Sequence, residues 1–345
     1  MNQLIEKPSS NGIGLVKRKT VVSTKDDLVK SFFFGTGNRP PLVLQPVIEG
    51  VNPVSWLYTN REQVESQLRR HGAVLFRKFH LHDVATFEEF IKTLGHELLN
   101  YSYQSTPRSS VAGNIYTSTE YPAAQTIPLH NEMAYARSWP MKIFFLCVTA
   151  AAHGGETPIA DNRKVFARIE PRIRDRFIEK QVMYVRNYDE GLDLSWSTVF
   201  QTTDRSQVEA YCHQAGIEFE WLDHNRLRTR QVCQAAAVHP VTGVWVWFNQ
   251  AHLFHVSSLE PSVRAALSST YDELDYPRNA YYGDGSPIED EALENIRAAY
   301  RQETITFPWQ AGDVLMLDNM LMAHGRQSFT GPRKVVVGMV QSFES

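Results

Sequence analysis

The feature that most constrains this chain is a pair of separated motifs. His130-Asn131-Glu132 lies near the middle and His324 near the C-terminus, each beside apolar runs of strand length. Ile143-Phe144-Phe145-Leu146-Cys147-Val148 follows the first; Val314-Leu315-Met316-Leu317-Asp318-Asn319 and Lys334-Val335-Val336-Val337-Gly338-Met339-Val340 flank the second. In a strand, residues two apart share a side, so His130 and Glu132 are expected to aim at one ion. Two imidazoles and a carboxylate suit a divalent metal, and as a facial triad on Fe(II) they leave positions open for O₂ and a substrate. An isolated His-x-Glu is usually ordinary surface polarity. The second histidine, in matching β surroundings, makes this one a candidate metal site.

At 345 residues the chain is long enough to bury a substantial core. Its net charge of −3 gives no electrostatic case for nucleic acid or an anionic membrane as a partner. Cys147, Cys212 and Cys233 are widely spaced and odd in number, which reads as free thiols in a reducing compartment. Met1 to Thr24 has no apolar leader core, and no run has the length of a membrane span, so a cytoplasmic location is the expectation.

Taken in order, residues 1–40 read as a polar N-terminal arm, with basic Lys17, Arg18 and Lys19, and residues 41–345 as a single domain. Leu42 to Ile48 reads as an edge strand. Asn60-Arg61-Glu62-Gln63 has the form of a capping box and predicts a helix stopping near His71-Gly72. Asp83 predicts the cap of a second helix, with Phe87, Phe90, Ile91 and Leu94 on one face and Gly95 at its end. Residues 97–127 read as strands and loops. Gly154-Gly155 predicts a tight turn before another strand, and Pro171 predicts a break in the helix beginning after Asp161.

Residues 184–230, polar and aromatic, read as a long insertion between the two metal motifs, a lid or a passive cover, with Gly191 and Gly216 as its glycines. His239-Pro240-Val241-Thr242-Gly243 before the alternating Trp245, Trp247 and Phe248 predicts a hairpin. Helices are expected over 259–274 and, from a capping box at Ser286-Pro287-Ile288-Glu289, to about Arg301; Ile305-Thr306-Phe307 begins the closing β region. The fold class expected is mainly β with flanking helices, an α+β arrangement around a jelly-roll core.

Three stretches together resemble the TauD/TfdA-like family of Fe(II)/2-oxoglutarate-dependent dioxygenases: His130-x-Glu132; Gly154-Gly155-Glu156-Thr157; and Asp313 through Asn319 to His324-Gly325-Arg326, with Gly331-Pro332-Arg333 after it. The His-x-Glu form, the His239 stretch and Phe248-Asn249-Gln250 are most similar to the SyrP-like branch. The resemblance implies a double-stranded β-helix with Fe(II) held by His130, Glu132 and His324. It implies Arg333 on the distal carboxylate of 2-oxoglutarate, with Thr157 adding a hydroxyl bond. A planar guanidinium suits that task, because it can grip a carboxylate with two parallel bonds. Arg326 is the other arginine in range, a support for the site or a contact to the cosubstrate's second carboxylate.

The activity implied couples oxidative decarboxylation of 2-oxoglutarate, to succinate and CO₂, with O₂-dependent hydroxylation of a substrate. The branch points to an amino acid or amino-acid-derived group in a natural-product pathway, either free or presented by a carrier protein. Asn249, Gln250 and His252 are the candidate substrate contacts. Glu132 speaks against a halogenase, which lacks the carboxylate. Val335-Val336-Val337-Gly338, where sulfonate-using members carry a second arginine, speaks against a taurine-like substrate. Desaturation, cyclisation or epoxidation by the same cofactors is the alternative outcome, and a non-catalytic ligand-binding relative the alternative of another class.

Several residues also have plainer readings. Thr157 is a β-branched residue suited to any strand, Arg333 a candidate for a surface ion pair, and Trp309 and Phe307 are expected to be structural.

Overall fold

The computed structural model describes residues 28–34, 37–95, 97–100, 110–118, 121–188 and 193–344. The basic cluster at residues 17–19 and Gly191 lie outside them. The fold is mixed α and β. Its largest sheet has eight strands, with Ala73–Phe76, Val314–Asp318, Ser138–Thr149 and Lys334–Glu344 adjacent in that order at the centre.

The apolar runs of the sequence are these central strands, and they are apolar throughout because both faces are covered. Leu75, Ile143, Phe145, Leu315, Leu317, Val335 and Val337 enter one core, while Val74, Phe76, Phe144, Leu146, Val314, Met316 and Val336 enter another. That is the two-residue alternation of a pleated strand with both sides buried. The second core is closed by two helices, Pro53–His71 with Leu57, Val64 and Leu68, and Val84–Lys92 with Phe87, Phe90 and Ile91. The first is closed by a three-stranded sheet, Ile127–His130, Met322–Arg326 and Ile159–Asp161, which carries the two histidines.

Several element boundaries move from the expected places. The first long helix begins at Pro53, with Asn52 capping the Ser55 N–H at 2.8 Å. Asn60 sits inside it and donates to Trp56 O, so the apparent capping box there is mid-helix. Proline at the first helical position fixes φ where no N–H is needed, which decides the start. The late helix is Asp290–Glu303 with Glu289 as its cap, because Ser286 is held in a turn by Asp284 and Pro287 bridges to Tyr281. The helix expected over 259–274 spans only Pro261–Thr270. Ile305 makes a single bridge, to Ile159. Within the stretch read as an arm, Val29–Phe33 pairs antiparallel with Leu42–Pro46 and belongs to the large sheet. Asp83 and Gly72 cap their helices as the sequence suggests, and Pro171 starts a separate helix after Asn162–Arg168.

The described residues of the stretch 184–230, which are 184–188 and 193–230, form strands and helices. Val182–Tyr188, Glu218–Trp221 and Leu227–Cys233 form a four-stranded sheet with Arg278–Tyr282, and the helices Trp196–Phe200 and Arg205–Ala215 connect them. It has its own core, including Tyr184, Tyr188, Trp196, Val208 and Leu227, which the helix Asp290–Glu303 completes with Leu293, Ile296 and Tyr300. The expected hairpin follows as Ala236–Val238 and Trp245–Trp247; its second strand does not alternate, since Trp245 is exposed at the strand's start while Val246 and Trp247 are both buried. Among the described residues no helix is long and apolar enough to cross a membrane.

Candidate metal centre

The three-stranded sheet brings the two histidines face to face. His324 and His130 are opposed across antiparallel strands, and their rings stand 4.5 Å apart between centroids. Directly opposed residues project from the same face of a sheet, so register alone puts both imidazoles on one side. The His130 Nδ1 lies 2.8 Å from Pro128 O. A carbonyl only accepts, so Nδ1 carries the proton and Nε2 presents its lone pair, the tautomer a metal needs.

Glu132 reaches the same place by another route. The strand ends at His130, so Glu132 is not on it, as the spacing argument supposed; it lies in the turn that follows. Asn319 fixes that turn. Its side chain accepts from the Glu132 N–H at 2.9 Å and donates to Glu132 O at 2.9 Å and Pro140 O at 2.8 Å. Asn131 answers by donating to Asn319 O and, at 3.0 Å, to Met322 O. Asp318 receives the Met320 and Leu321 N–H groups and a bond from the buried His239, whose Nδ1 accepts from Val241 and Thr242 N–H.

Ligand atoms of His130, Glu132 and His324 all lie within 4.8 Å of one another. Two imidazoles and a buried carboxylate at that spacing suit a single divalent ion with N/O preference, and Fe(II) fits the set.

Beside the triad is a narrow cavity lined by both histidines, with Ile127, Phe145 and Val335 as its apolar wall and Ser118, Thr157, Arg326 and Arg333 as its polar one. The strand bearing His324 and the residues after it run antiparallel to 152–161, tied by Gly325 N–H to Pro158 O, Gln327 N–H to Glu156 O and Gly155 N–H to Ser328 O. This pairing sets Thr157 and Arg333 at one end of the cavity. Gly155 has φ +74, and a Cβ there would stand 3.0 Å from the Arg333 Cδ and Nε. Gly325 has no room either, since a Cβ would meet Ile127 O at 2.5 Å. Gly325 is therefore required by close backbone approach, and Gly155 by its left-handed conformation and the Arg333 side chain packed against it.

Arg333 Nε donates to Gly155 O at 3.0 Å and Nη1 to Ser118 Oγ at 3.4 Å; among the described residues Nη2 takes no partner. Burial first, then the neighbouring Arg326, pulls its guanidinium down to about 10, so it stays charged at neutral pH. A desolvated cation in a cavity favours an anion there. Lys334 next to it is exposed. Thr157 is buried, and its hydroxyl accepts from Trp309 Nε1 at 3.1 Å, which leaves its proton to donate. Trp309 thus has a polar role beyond packing.

Arg326 lines the cavity, yet its two terminal nitrogens bond to backbone, Tyr121 O at 2.8 Å and Pro122 O and Gln125 O at 2.7 Å each, while its buried Nε takes no partner among the described residues. Asn249 donates to Ala235 O at 2.6 Å and Gln250 to Asn131 O at 2.5 Å, while His252 Nε2 lies 3.2 Å from Leu129 O. These three are buried behind the ligand-bearing segment and are not among the residues lining the cavity. Asn319, Asn131 and Asp318 were not singled out for a role from the sequence. The available signal was an Asp-Asn pair ending an apolar strand just before His324.

Residues 39–340 match the family described as taurine catabolism dioxygenase TauD, TfdA family. The chain is 44% identical over 283 residues to the dapdiamide synthesis protein DdaC of Enterobacter agglomerans, covering 82% of this chain and 86% of that protein. It is 31% identical over 299 residues to a clavaminate synthase-like protein of Arabidopsis thaliana, At3g21360, covering 81% and 85%. Its fold is similar to that of PvcB, an Fe, alpha-ketoglutarate dependent oxygenase from an isonitrile synthetic pathway, with TM-score 0.54 at 14% identity over 93% of this chain and 96% of the other.

Proposed function

The chain belongs to the TauD/TfdA family and is an Fe(II)- and 2-oxoglutarate-dependent oxygenase; from that premise we propose that it hydroxylates an amino acid or an amino-acid-derived group in a natural-product pathway, free or carried on a carrier protein. The observation that carries the cofactor half is the meeting of His130, Glu132 and His324 within 4.8 Å. The pathway half is supported by the 44% identity to a dapdiamide synthesis protein.

In this reading His130, Glu132 and His324 hold Fe(II), and the two facing sheets are the halves of a double-stranded β-helix. When bound, the iron and 2-oxoglutarate supply O₂ activation, with succinate and CO₂ as coproducts. The chain's own part is binding and orientation. Arg333 grips the distal carboxylate of 2-oxoglutarate with the N–H groups left over from Gly155 and Ser118. Thr157 donates its hydroxyl proton to the same carboxylate, oriented by Trp309. Ile127, Phe145 and Val335 supply apolar lining to the cavity, which strengthens the ion pair by excluding water.

The test is anaerobic reconstitution with Fe(II) and 2-oxoglutarate, reading the visible metal-to-ligand charge-transfer band. Wild type shows the band, His324→Ala lacks it, and Arg333→Ala needs far more 2-oxoglutarate to develop it. Folded, iron-loaded wild type without a band overturns the cofactor assignment. Succinate release is then followed with free and carrier-loaded amino acids, and its absence with all of them overturns the substrate class.

A further inference from the structure

Hydrogen bonds from several residues of 232–252 reach the segment that bears the first two ligands, a long one from Gln234 Nε2 to Ala136 O at 3.5 Å among them. His252 Nε2 stands 3.2 Å from Leu129 O, Gln250 Nε2 donates to Asn131 O at 2.5 Å, and Gln234 Nε2 donates to Ala134 O at 3.1 Å. Cys233 Sγ donates to Tyr135 O at 3.4 Å, and Arg137 Nε returns a bond to Val232 O at 3.1 Å. The carbonyls at 129, 131, 134 and 135 follow the turn step by step, and Glu132 sits in the middle of them. The Asn131 carbonyl also takes the Ala134 N–H at 3.3 Å, and Met133 O takes the Ala136 N–H at 2.9 Å, so the turn is held by its own backbone bonds together with these side chains from across the fold. Met133 has φ +56, a conformation that a non-glycine residue holds only when its surroundings impose it. Behind this ladder the supports are themselves fixed: the Gln250 N–H donates to Tyr184 OH at 2.7 Å, and His252 stacks on Tyr300 at 4.7 Å.

We infer that Gln234, Gln250 and His252 are positioning residues that mould the Glu132 turn before metal arrives, so that the region between the two metal motifs sets iron affinity rather than acting as a lid. The inference rests on the reading that the triad holds Fe(II). A carboxylate in an unregistered turn has many orientations, and fixing its backbone removes that freedom ahead of binding. Partners of this kind govern metal affinity by roughly 10–100-fold in other sites.

The comparison to make is Gln250→Met against Gln231→Met. Gln231 is equally buried in the same region and makes the same kind of bond, to Ala215 O at 2.8 Å, away from the ligand turn. Fe(II) dissociation constants are measured by anaerobic equilibrium dialysis, stability by urea unfolding of the metal-free protein, and order in residues 129–137 by amide hydrogen exchange. The expected result is similar destabilisation in both variants, with Fe(II) held about tenfold more weakly and exchange in 129–137 faster only in Gln250→Met. Gln234→Met, at a half-buried position, gives the same pattern more weakly and serves if Gln250→Met does not fold. Equal iron affinity in Gln250→Met, Gln234→Met and Gln231→Met overturns the inference. Wild type that fails to retain Fe(II) overturns the underlying reading instead.

Discussion

The two histidines and the glutamate of the candidate metal centre are held by different physics. His130 and His324 are a cross-strand pair whose positions follow from sheet register, and nothing but the ladder is needed to face them. Glu132 stands in a turn with no ladder, and its main chain is pinned by Asn319 on one side and by Gln234, Gln250 and His252 around it. The difference teaches that a ligand on a strand inherits its geometry from local pattern, while a ligand in a turn depends on partners remote in sequence.

Breaking the turn's support should therefore separate metal affinity from stability. Asn319→Leu strands the Glu132 N–H and two carbonyls, which should cost about 3 kcal/mol in urea unfolding and weaken Fe(II) by roughly 10–100-fold. Leu315→Ala, in the sheet core, should cost a similar ~3 kcal/mol and leave iron affinity unchanged. If the two variants lose iron equally, the contrast between strand and turn is wrong.

The cosubstrate end offers a second separation. Arg333→Lys replaces a fork by a point charge and should weaken 2-oxoglutarate about tenfold or more, read from the charge-transfer titration, without moving the Fe(II) constant. A smaller change, Thr157→Val, removes one hydroxyl bond worth about 1 kcal/mol, so a roughly fivefold loss of 2-oxoglutarate affinity is expected. An unchanged titration would take Thr157 out of the cosubstrate site. Smallest of all is Cys233→Ala: a thiol is a weak donor, and the bond to Tyr135 O should matter by under about 1 kcal/mol, with iron affinity nearly that of wild type. A large effect would mean that the ladder's strength lies at that rung.

Gly154-Gly155 and Gly325 show how much of the site was written locally. Each marks a place where backbone approaches backbone or Arg333, and each lies in a motif recognisable without coordinates. Asn249, Gln250 and His252 show the opposite. Their polarity beside an aromatic strand suggested contact with substrate, yet their side chains are occupied with Ala235, Asn131 and Leu129 carbonyls. Arg326 likewise stands at the cavity while its Nη donors hold the carbonyls of residues 121, 122 and 125. A polar residue's type states what it can bond, but its partner is chosen by which backbone groups the fold leaves unsatisfied nearby.

By itself, the sequence determined the central strands, the two N-terminal helices that cover one face, the candidate ligand residues and the arginine that lines the cavity beside them. Those follow from alternation, capping and residue chemistry, all short-range properties of a chain. Only the tertiary structure decided that Glu132 stands in a turn beside the two histidines, that Asn319 fixes that turn, and that the described residues of 182–254 carry strands and helices with a core of their own. Those depend on hydrogen bonds between groups more than a hundred residues apart, such as Gln250 to Asn131 and Asn319 to Glu132, and no local period in a sequence records such a pairing.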